Sequence, residues 1–419
     1  MKSDSRAGKL LQSGIIFTAI NFFTGMGNLA FQAVLGRHLK DEGQYGDANT
    51  ALGGLMTLLS LVPLVATFAV THYIAHFDAR GDQARLQGLL LGCRKFLFWF
   101  TVAGSLLAVV VIKPLSDFFH YGQSLMLVSL FCALLGLWAS LATALCQGLS
   151  WFKRLALIGF LGMVLRILFG WFVTLKWPMP ETAVLASAFA LLANLVLLYW
   201  RNDLVLHGKP ISPWNHELAL YFAVSAPFVL ANYCFLQGDY LVANKFFGKG
   251  ELDAFVAAGM LARALPMTVA PLLTVLFTSR SGQRAGSIVS EQLKLVGLSG
   301  VALVFGAVCL VALRVFCLKV LGRYTPESAG MVLRFSTTMV FVGLLQALAY
   351  WSLASRWLKI SLCYGVLGVG YWVALLVLGH TPAALLGVMP IAAGAAFLVL
   401  LLVWLPTLRR HHPSAAAET

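Results

Sequence analysis

The sequence predicts an all-α, polytopic membrane protein with about twelve transmembrane helices in two six-helix lobes around a central cavity. Three observations predict this class. Hydrophobic residues make up 60% of the 419 residues and charged residues only 11%, whereas soluble chains carry roughly 25% charged residues. Uncharged runs long enough to span a membrane recur along the chain. Features of the first half also recur in the second half at a nearly constant offset.

The uncharged runs place six spans in the first half of the chain, because a spanning helix needs about 20 apolar residues. These runs are 10–36, 48–77, 96–112, 124–149, 155–175 and 182–200. The first run is too long for a cleaved signal peptide and lacks a small-residue cleavage pattern, so we expect it to remain as the first span. The polar connection that follows contains Pro210 and Pro213 and is expected to link the two lobes.

The second half repeats this count. Its runs are 218–242, 254–279, 295–313, 328–355 and 360–408, and the last is divided into two spans by the turn at 379–382. We therefore expect an N-terminal lobe over 1–200, a cytoplasmic linker over 201–217 and a C-terminal lobe over 218–406. A disordered tail is expected over 407–419, where basic residues and histidines follow the last apolar run.

The distribution of basic residues predicts the orientation. The net charge is +14, and the loops on the side of the two termini hold more than twice as many Lys and Arg residues as the opposite loops. The positive-inside rule then places both termini of this multi-pass membrane protein in the cytoplasm. No basic cluster is interleaved with aromatic residues, so we expect no nucleic-acid partner.

The reactive residues do not form a catalytic pattern. The seven cysteines lie mostly in apolar runs without a CxxC pair and are expected to be buried hydrophobes. His72 and His76 lie one helical turn apart without a third ligand, so no metal site is expected. The chain has no Gly-Lys-Ser/Thr loop for a nucleotide phosphate. We therefore expect no catalytic residues, no cofactor and no enzyme activity.

Loop glycines and prolines recur between the halves at an offset of about 207 residues. The segment 43–48, Gly-Gln-Tyr-Gly-Asp-Ala, aligns with 250–255, Gly-Glu-Leu-Asp-Ala-Phe. Gln32 then aligns with Asp239, and Pro63 falls one residue from the position that matches Pro271. Each half has six predicted spans, so both halves start on the same side of the membrane and form a parallel repeat. Chance similarity between apolar helices is the alternative explanation.

Several segments resemble a known family. The stretch 33–46, Ala-Val-Leu-Gly-Arg-His-Leu-Lys-Asp-Glu-Gly-Gln-Tyr-Gly, resembles the signature between the first two helices of bacterial polysaccharide flippases. These flippases belong to the multidrug/oligosaccharidyl-lipid/polysaccharide (MOP) exporter superfamily. Gln147-Gly148 with Trp151-Phe152 resembles their junction between helices 4 and 5, and the segment around Arg263 resembles their second-half signature. Two features depart from the family: Arg-His-Leu-Lys replaces the usual proline after Leu-Gly, and the chain has no room for helices 13 and 14.

The resemblance implies a transporter that flips a lipid-linked oligosaccharide, carried on polyprenyl pyrophosphate, for polysaccharide biosynthesis. Transport by alternating access is expected from the two-lobed repeat. The expected partners are this substrate, membrane lipids, and glycosyltransferases or a polymerase of the same pathway. Two alternatives remain open. One is a cation-coupled multidrug exporter of the same superfamily, which should bury more carboxylates than basic residues. The other is a membrane subunit of a polysaccharide synthase complex that does not itself transport.

Polar residues within the spans are the candidate cavity residues. In the first span, Asn21, Thr24, Asn28 and Gln32 are spaced so that they share one helix face. Such a stripe suits a wall that hydrogen-bonds sugar hydroxyls, or else contacts between helices. Asn232 extends a similar stripe on the seventh span.

Charged residues within the spans are the candidates for the substrate anion and the coupling ion. Arg263 lies about 15 Å into the eighth span and suits a phosphate, with Arg166 as a second candidate. Asp239 is the coupling-ion candidate. A structural ion pair between Asp239 and Arg263 is the alternative for both residues.

Three prolines within spans are candidates for gating. Pro63, Pro266 and Pro271 interrupt the hydrogen-bond ladder of the second and eighth spans. A bend at these positions could move during transport, or it could be a static kink.

Overall fold

The computed structural model describes residues 20, 23–199, 216–281, 289–354 and 357–410, and these residues form helices joined by short connections. The N-terminal lobe contains α1 (23–38), α2a (Gln44–Leu59), α2b (Leu61–Arg80), α3 (Gln83–Phe119), α4 (Gln123–Gly148), α5 (Phe152–Lys176) and α6 (Pro180–Tyr199). The C-terminal lobe contains α7a (His216–Leu236), α7b (Gly238–Phe246), α8 (Lys249–Ser281), α9 (Val289–Val320), α10 (Pro326–Ala354), α11 (Leu358–Leu378) and α12 (Pro382–Arg410).

The helices correspond one for one to the predicted spans. Within the described residues, nine helices are long and apolar enough to cross a membrane, and α2a with α2b forms a tenth, bent span. The described part of α1 and the apolar helix Tyr221–Leu236 are shorter and occupy the first and seventh places. The prediction of a polytopic, all-α membrane protein is therefore confirmed.

The pairing of the helices shows the repeat. In the N-terminal lobe α4 packs against α2b, α3 and α6, and α5 packs against α6. In the C-terminal lobe α10 packs in the same way against α8, α9 and α12, and α11 packs against α12. Each pair matches the pair six spans later, as a parallel repeat requires. The third span of each lobe, α3 and α9, lies on the outside of its lobe with few buried residues.

The two lobes meet through a small set of helices. Helix α2b packs along α7a, and α2a packs against the start of α8. The buried core is continuous across this contact and includes Phe31, Ala69, Phe228 and Val256. The lobes therefore form one body in which a cavity can lie between them.

Helix α2 is broken beside Pro63. Its two parts meet at Ser60 at an angle of 56°, and a π-helical turn runs over Thr50–Leu55. Proline has no N–H and its ring clashes with the carbonyl four residues earlier, so Pro63 cannot support the ladder at Leu59. By contrast, α8 is continuous through Pro266 and Pro271 and shows no helix break at either residue.

Several boundaries differ from the predicted ones. Helix α3 extends through Arg94, Lys95 and Lys113, because long charged side chains can reach past the apolar region from the ends of a helix. Helix α7 begins at His216, inside the predicted linker, and is interrupted at Gln237, within the predicted span 218–242. Helix α12 continues to Arg410, into the predicted tail. The rest of the linker and of the tail lies outside the described residues.

Candidate functional site: a cavity between the lobes

A cavity of about 560 Å³ lies between the two lobes. Its walls are formed by residues 24–29 of α1, 139–147 of α4, 155–159 of α5, 191–198 of α6 and 260–270 of α8. Most of these segments belong to the halves of their helices that point toward the predicted cytoplasmic side. The polar residues in the walls are Thr24, Asn28, Thr143, Gln147, Asn194, Arg263 and Thr268. Arg263 is the only charged residue among the described residues that line the cavity.

Arg263 is buried and paired. Its side chain and that of Asp239 are each 1% exposed, and Arg263 Nη2 lies 2.5 Å from Asp239 Oδ2. The same nitrogen also donates to Asp239 Oδ1, and Nε donates to the backbone carbonyl of Leu236 at 2.5 Å. Nη1 has no hydrogen-bond partner within the described part of the chain. The Nη1 nitrogen of the guanidinium is therefore available to donate to a ligand, while the Asp239 carboxylate balances the positive charge.

The interruption of α7 at Gln237 creates this arrangement. Because the helix stops there and restarts at Gly238, the Leu236 carbonyl is available to accept from Arg263. Asp239 lies in the first turn of α7b, where the helix dipole favours a negative charge. The sequence between 218 and 242 was expected to be one continuous helix, so this geometry was not foreseen.

Aromatic rings and a glycine complete the surroundings of Arg263. The guanidinium carbon lies 3.7 Å from the ring centroid of Tyr240 and 5.8 Å from that of Phe335, in cation–π arrangements. A side chain at Gly259 would collide with Nη1 and would crowd the Phe335 ring. Gly259 is therefore needed for the close approach of the guanidinium to its own helix.

Arg166 lies behind the wall of the cavity in the N-terminal lobe. Its Nη1 donates to Asn28 Oδ1 at 3.0 Å, and its guanidinium carbon lies 4.1 Å from the ring centroid of Phe31. Asn28 itself lines the cavity. The structure thus connects the predicted residues Arg166 and Asn28, with the amide in the wall and the guanidinium in a supporting position.

The other predicted residues lie elsewhere. Gln32 is buried and is not among the residues that line the cavity. Asn232, predicted as a cavity residue, instead belongs to a network inside the C-terminal lobe. Its side-chain oxygen accepts from Gln346 Nε2 at 2.9 Å and from the Tyr364 hydroxyl at 3.2 Å. Asn21 lies outside the described residues.

Three polar cavity residues were missed by the sequence reasoning, namely Thr143, Asn194 and Thr268. Thr143 and Asn194 lie in the long apolar helices α4 and α6 and both line the cavity. The Asn194 amide packs into the space that Gly162 leaves on α5. The available signal was a polar residue inside an apolar run, the same signal that identified Asn28. Gln147 was noted only as part of a family motif, and it too lines the cavity.

Comparison with known proteins identifies this fold. No family model matches the chain, and no curated protein matches it by sequence. Solved structures do match. A MATE transporter in its straight conformation shows 12% identity and a TM-score of 0.68, covering 96% of this chain and 95% of that chain. The MATE multidrug transporter DinF-BH, in complex with R6G, shows 15% identity and a TM-score of 0.68, covering 94% of each chain.

A flippase structure matches equally well. The lipid II flippase MurJ in an inward closed conformation shows 11% identity and a TM-score of 0.70, covering 93% of this chain and 87% of that chain. At these identities the similarity shows the fold, which MATE transporters and MurJ share as members of the MOP superfamily. The expected fold of two six-helix lobes is thereby confirmed. Because a multidrug transporter and a lipid flippase share it, the fold alone does not select a substrate.

Proposed function

We propose that this protein flips a polyprenyl-pyrophosphate-linked oligosaccharide from the cytoplasmic to the periplasmic face of the bacterial cytoplasmic membrane, by alternating access. The observation that carries the proposal is Arg263, the one charged residue in the described lining of the cavity. A planar guanidinium can hold a pyrophosphate through paired hydrogen bonds. The uncharged amides of Asn28, Gln147 and Asn194 in the opposite walls suit sugar hydroxyls.

The pairing of Arg263 with Asp239 gives the proposal a coupling step. A lone buried cation is costly in a membrane, and the Asp239 carboxylate balances the guanidinium. A pyrophosphate that binds the guanidinium through both Nη1 and Nη2 would compete with Asp239 for Nη2. Neutralisation of Asp239 by a proton or a metal cation would free the guanidinium. Substrate binding and ion binding would then favour each other, as linkage requires.

Transport of labelled substrate by the reconstituted protein tests the proposal. Full-length protein in proteoliposomes is expected to move a fluorescent polyprenyl-pyrophosphate saccharide between leaflets, measured by its accessibility to an added lectin or reductant. Arg263→Ala should lower the rate by more than about tenfold, a loss of at least about 1.4 kcal/mol of binding. Arg263→Lys should retain part of the rate, because lysine keeps the positive charge but lacks the planar group that can donate two parallel hydrogen bonds.

Arg334 supplies the matched control. It is also an arginine within a predicted span, but it lies on an exposed face of α10, so Arg334→Ala should leave the rate unchanged. The proposal fails if the wild type does not move the saccharide, or if Arg263→Ala transports as fast as the wild type.

A cation-coupled multidrug exporter is the second candidate, supported by the shared fold with MATE transporters. The described cavity lining disfavours it, because that lining contains no carboxylate to bind a cationic drug and Asp239 is already paired with Arg263. Transport of a lipophilic cationic dye in the same proteoliposomes, with no movement of the saccharide, would favour this candidate. A non-transporting synthase subunit would instead copurify with a glycosyltransferase and move neither probe.

A further inference from the structure

The end of the lobe interface opposite the cavity is joined by polar contacts. Asp47 of α2a lies 2.8 Å from Lys249 of α8. The Asn244 amide of α7b donates to the carbonyl of Phe119, at the end of α3, at 2.6 Å. Arg37 of α1 donates to the carbonyl of Val320 at 3.3 Å. These residues lie at the predicted periplasmic ends of their helices.

Asp253 of α8 makes the most buried of these contacts. Its Oδ1 accepts from the backbone N–H of Gly46 at 2.6 Å, and its Oδ2 accepts from that of Gly43 at 3.2 Å. Gly43 and Gly46 begin helix α2a, whose first N–H groups have no partner within the helix. A carboxylate of the C-terminal lobe thus caps a helix of the N-terminal lobe, and it is only 8% exposed.

Arg323 holds this carboxylate in place and adds a second link between the lobes. Its Nη1 lies 3.1 Å from Asp253 Oδ2, and Nη2 donates to the carbonyl of Leu39, just past the end of α1. Its guanidinium carbon lies 4.9 Å from the ring centroid of Tyr45. The Asp253–Arg323 pair therefore satisfies backbone groups at the end of α1 and at the start of α2a.

The position of Asp253 follows from the internal repeat. Asp253 aligns with Gly46, so the hydrogen bond between them joins equivalent positions of the two lobes, 207 residues apart. Equivalent residues can touch only near the axis that relates the lobes. A contact on this axis is broken when rocking separates the lobes at the end where the contact lies. Water at the membrane surface could then replace the lost partners, which keeps the contact reversible.

We propose that Asp253 is the latch that keeps the outer end of the lobe interface closed while the cavity lies at the inner end. Releasing its carboxylate from Gly43 and Gly46 would allow the lobes to separate on the outer side. This inference rests on the proposed function only for the direction of transport. The close approach of the lobes also depends on Gly36, because a methyl group there would collide with the Leu321 carbonyl of the other lobe.

Thiol accessibility from the outer face tests the latch without any substrate. Thr143→Cys, in the cavity wall, is introduced into full-length protein lacking the seven native cysteines. A membrane-impermeant thiol reagent is then added to the outer face of oriented vesicles. Asp253→Asn should raise the labelling rate on the order of fivefold or more, since even a modest coupling energy shifts a two-state population by that factor. Gly36→Ala should raise it similarly by wedging the lobes apart.

The exposed ion pair provides the matched control. Lys249 and Asp47 are 52% and 21% exposed, so Asp47→Asn should leave labelling from the outer face at the wild-type rate. A single monodisperse peak in gel filtration of the detergent-solubilised variant reports that each variant is folded. The inference is overturned if Asp253→Asn and Gly36→Ala both label at the wild-type rate, or if Asp47→Asn raises the rate as much as Asp253→Asn. A failure of saccharide transport would contradict the proposed function and leave the latch standing.

Discussion

At the scale of single residues, the proposed function depends on the buried ion pair between Arg263 and Asp239. Both side chains are almost fully buried, and a buried pair gains little net stability because each charge must leave water. Removing one partner should lower the stability strongly, because the remaining charge is then buried without an opposite charge. The pair therefore makes two predictions, one about stability and one about position.

Asp239→Asn should destabilise the protein by about 3–5 kcal/mol, because it leaves the Arg263 guanidinium buried without its counter-charge. The double variant Asp239→Asn/Arg263→Gln should recover most of this loss, since neither charge is then buried. Denaturant unfolding of the detergent-solubilised protein measures both values. Asp47→Asn, at an exposed pair, should cost less than about 1 kcal/mol. If the double variant loses as much as the sum of Asp239→Asn and Arg263→Gln measured singly, the two residues are not energetically coupled.

Gly259→Ala tests the position of Arg263 without removing its charge. The added methyl group would displace Nη1 and crowd Phe335, so saccharide transport should fall by about tenfold, equivalent to about 1.4 kcal/mol. Alanine favours a helix over glycine by up to about 1 kcal/mol, so helix propensity cannot explain a loss. Gly370→Ala is the control, because a methyl group at Gly370 meets no atom within 4 Å. Unchanged transport in Gly259→Ala would remove Arg263 from the proposed mechanism.

The sequence identified these charged residues but not their geometry. Arg263, Asp239 and Arg166 stand out because ionisable groups are rare inside apolar runs. The pairing of Arg263 with Asp239 was the stated alternative and is present in the structure, but the other contacts of the polar residues depend on features without such a signal. The Leu236 carbonyl becomes available only because α7 stops at Gln237, and Asn232 turns toward Gln346 because of packing within its lobe.

At the scale of helices, the two breaks lie where the lobes meet. Helix α2 bends at Ser60 and α7 is interrupted at Gln237, and α2b packs against α7a. Proline predicted the first break, because its effect on the ladder is local. The second break falls between Gln237 and Gly238, where a glycine weakens the helix, but Pro266 and Pro271 leave α8 continuous. Proline and glycine therefore mark possible breaks in the sequence without showing which of them occur.

Pro63→Ala should allow α2 to straighten, because the Leu59 carbonyl could then accept a ladder hydrogen bond. We expect equal or higher resistance to unfolding, together with saccharide transport slower by about tenfold, or about 1.4 kcal/mol in the barrier. Transport and unfolding of the same preparation measure the two effects. Pro114→Ala is the control, since Pro114 is exposed within the outer helix α3 and should leave transport unchanged. Wild-type transport in Pro63→Ala would mean that the bend is a static kink.

At the scale of the whole molecule, the spans and their repeat were predictable, and the conformation was not. Charged residues mark the ends of spans, and matching loop glycines and prolines revealed the two halves. Which end of the lobe interface is closed depends on contacts between residues far apart in sequence, such as Asp253 with Gly46. These contacts place the cavity in the inner part of the interface, on the side that the positive-inside rule assigns to the cytoplasm.

This combination of cavity position and orientation gives a prediction for the intact protein in its membrane. In inside-out vesicles, an impermeant thiol reagent should label Thr143→Cys at least about tenfold faster than in right-side-out vesicles, the ratio for an energy difference of about 1.4 kcal/mol between inward- and outward-open states. Val109→Cys is the control. Val109 is 78% exposed within the apolar run of α3 and is expected to face lipid, so a water-soluble reagent should label it slowly from either side. Faster labelling of Thr143→Cys in right-side-out vesicles would reverse the predicted orientation, because the helix directions tie the cavity to the side that holds the termini.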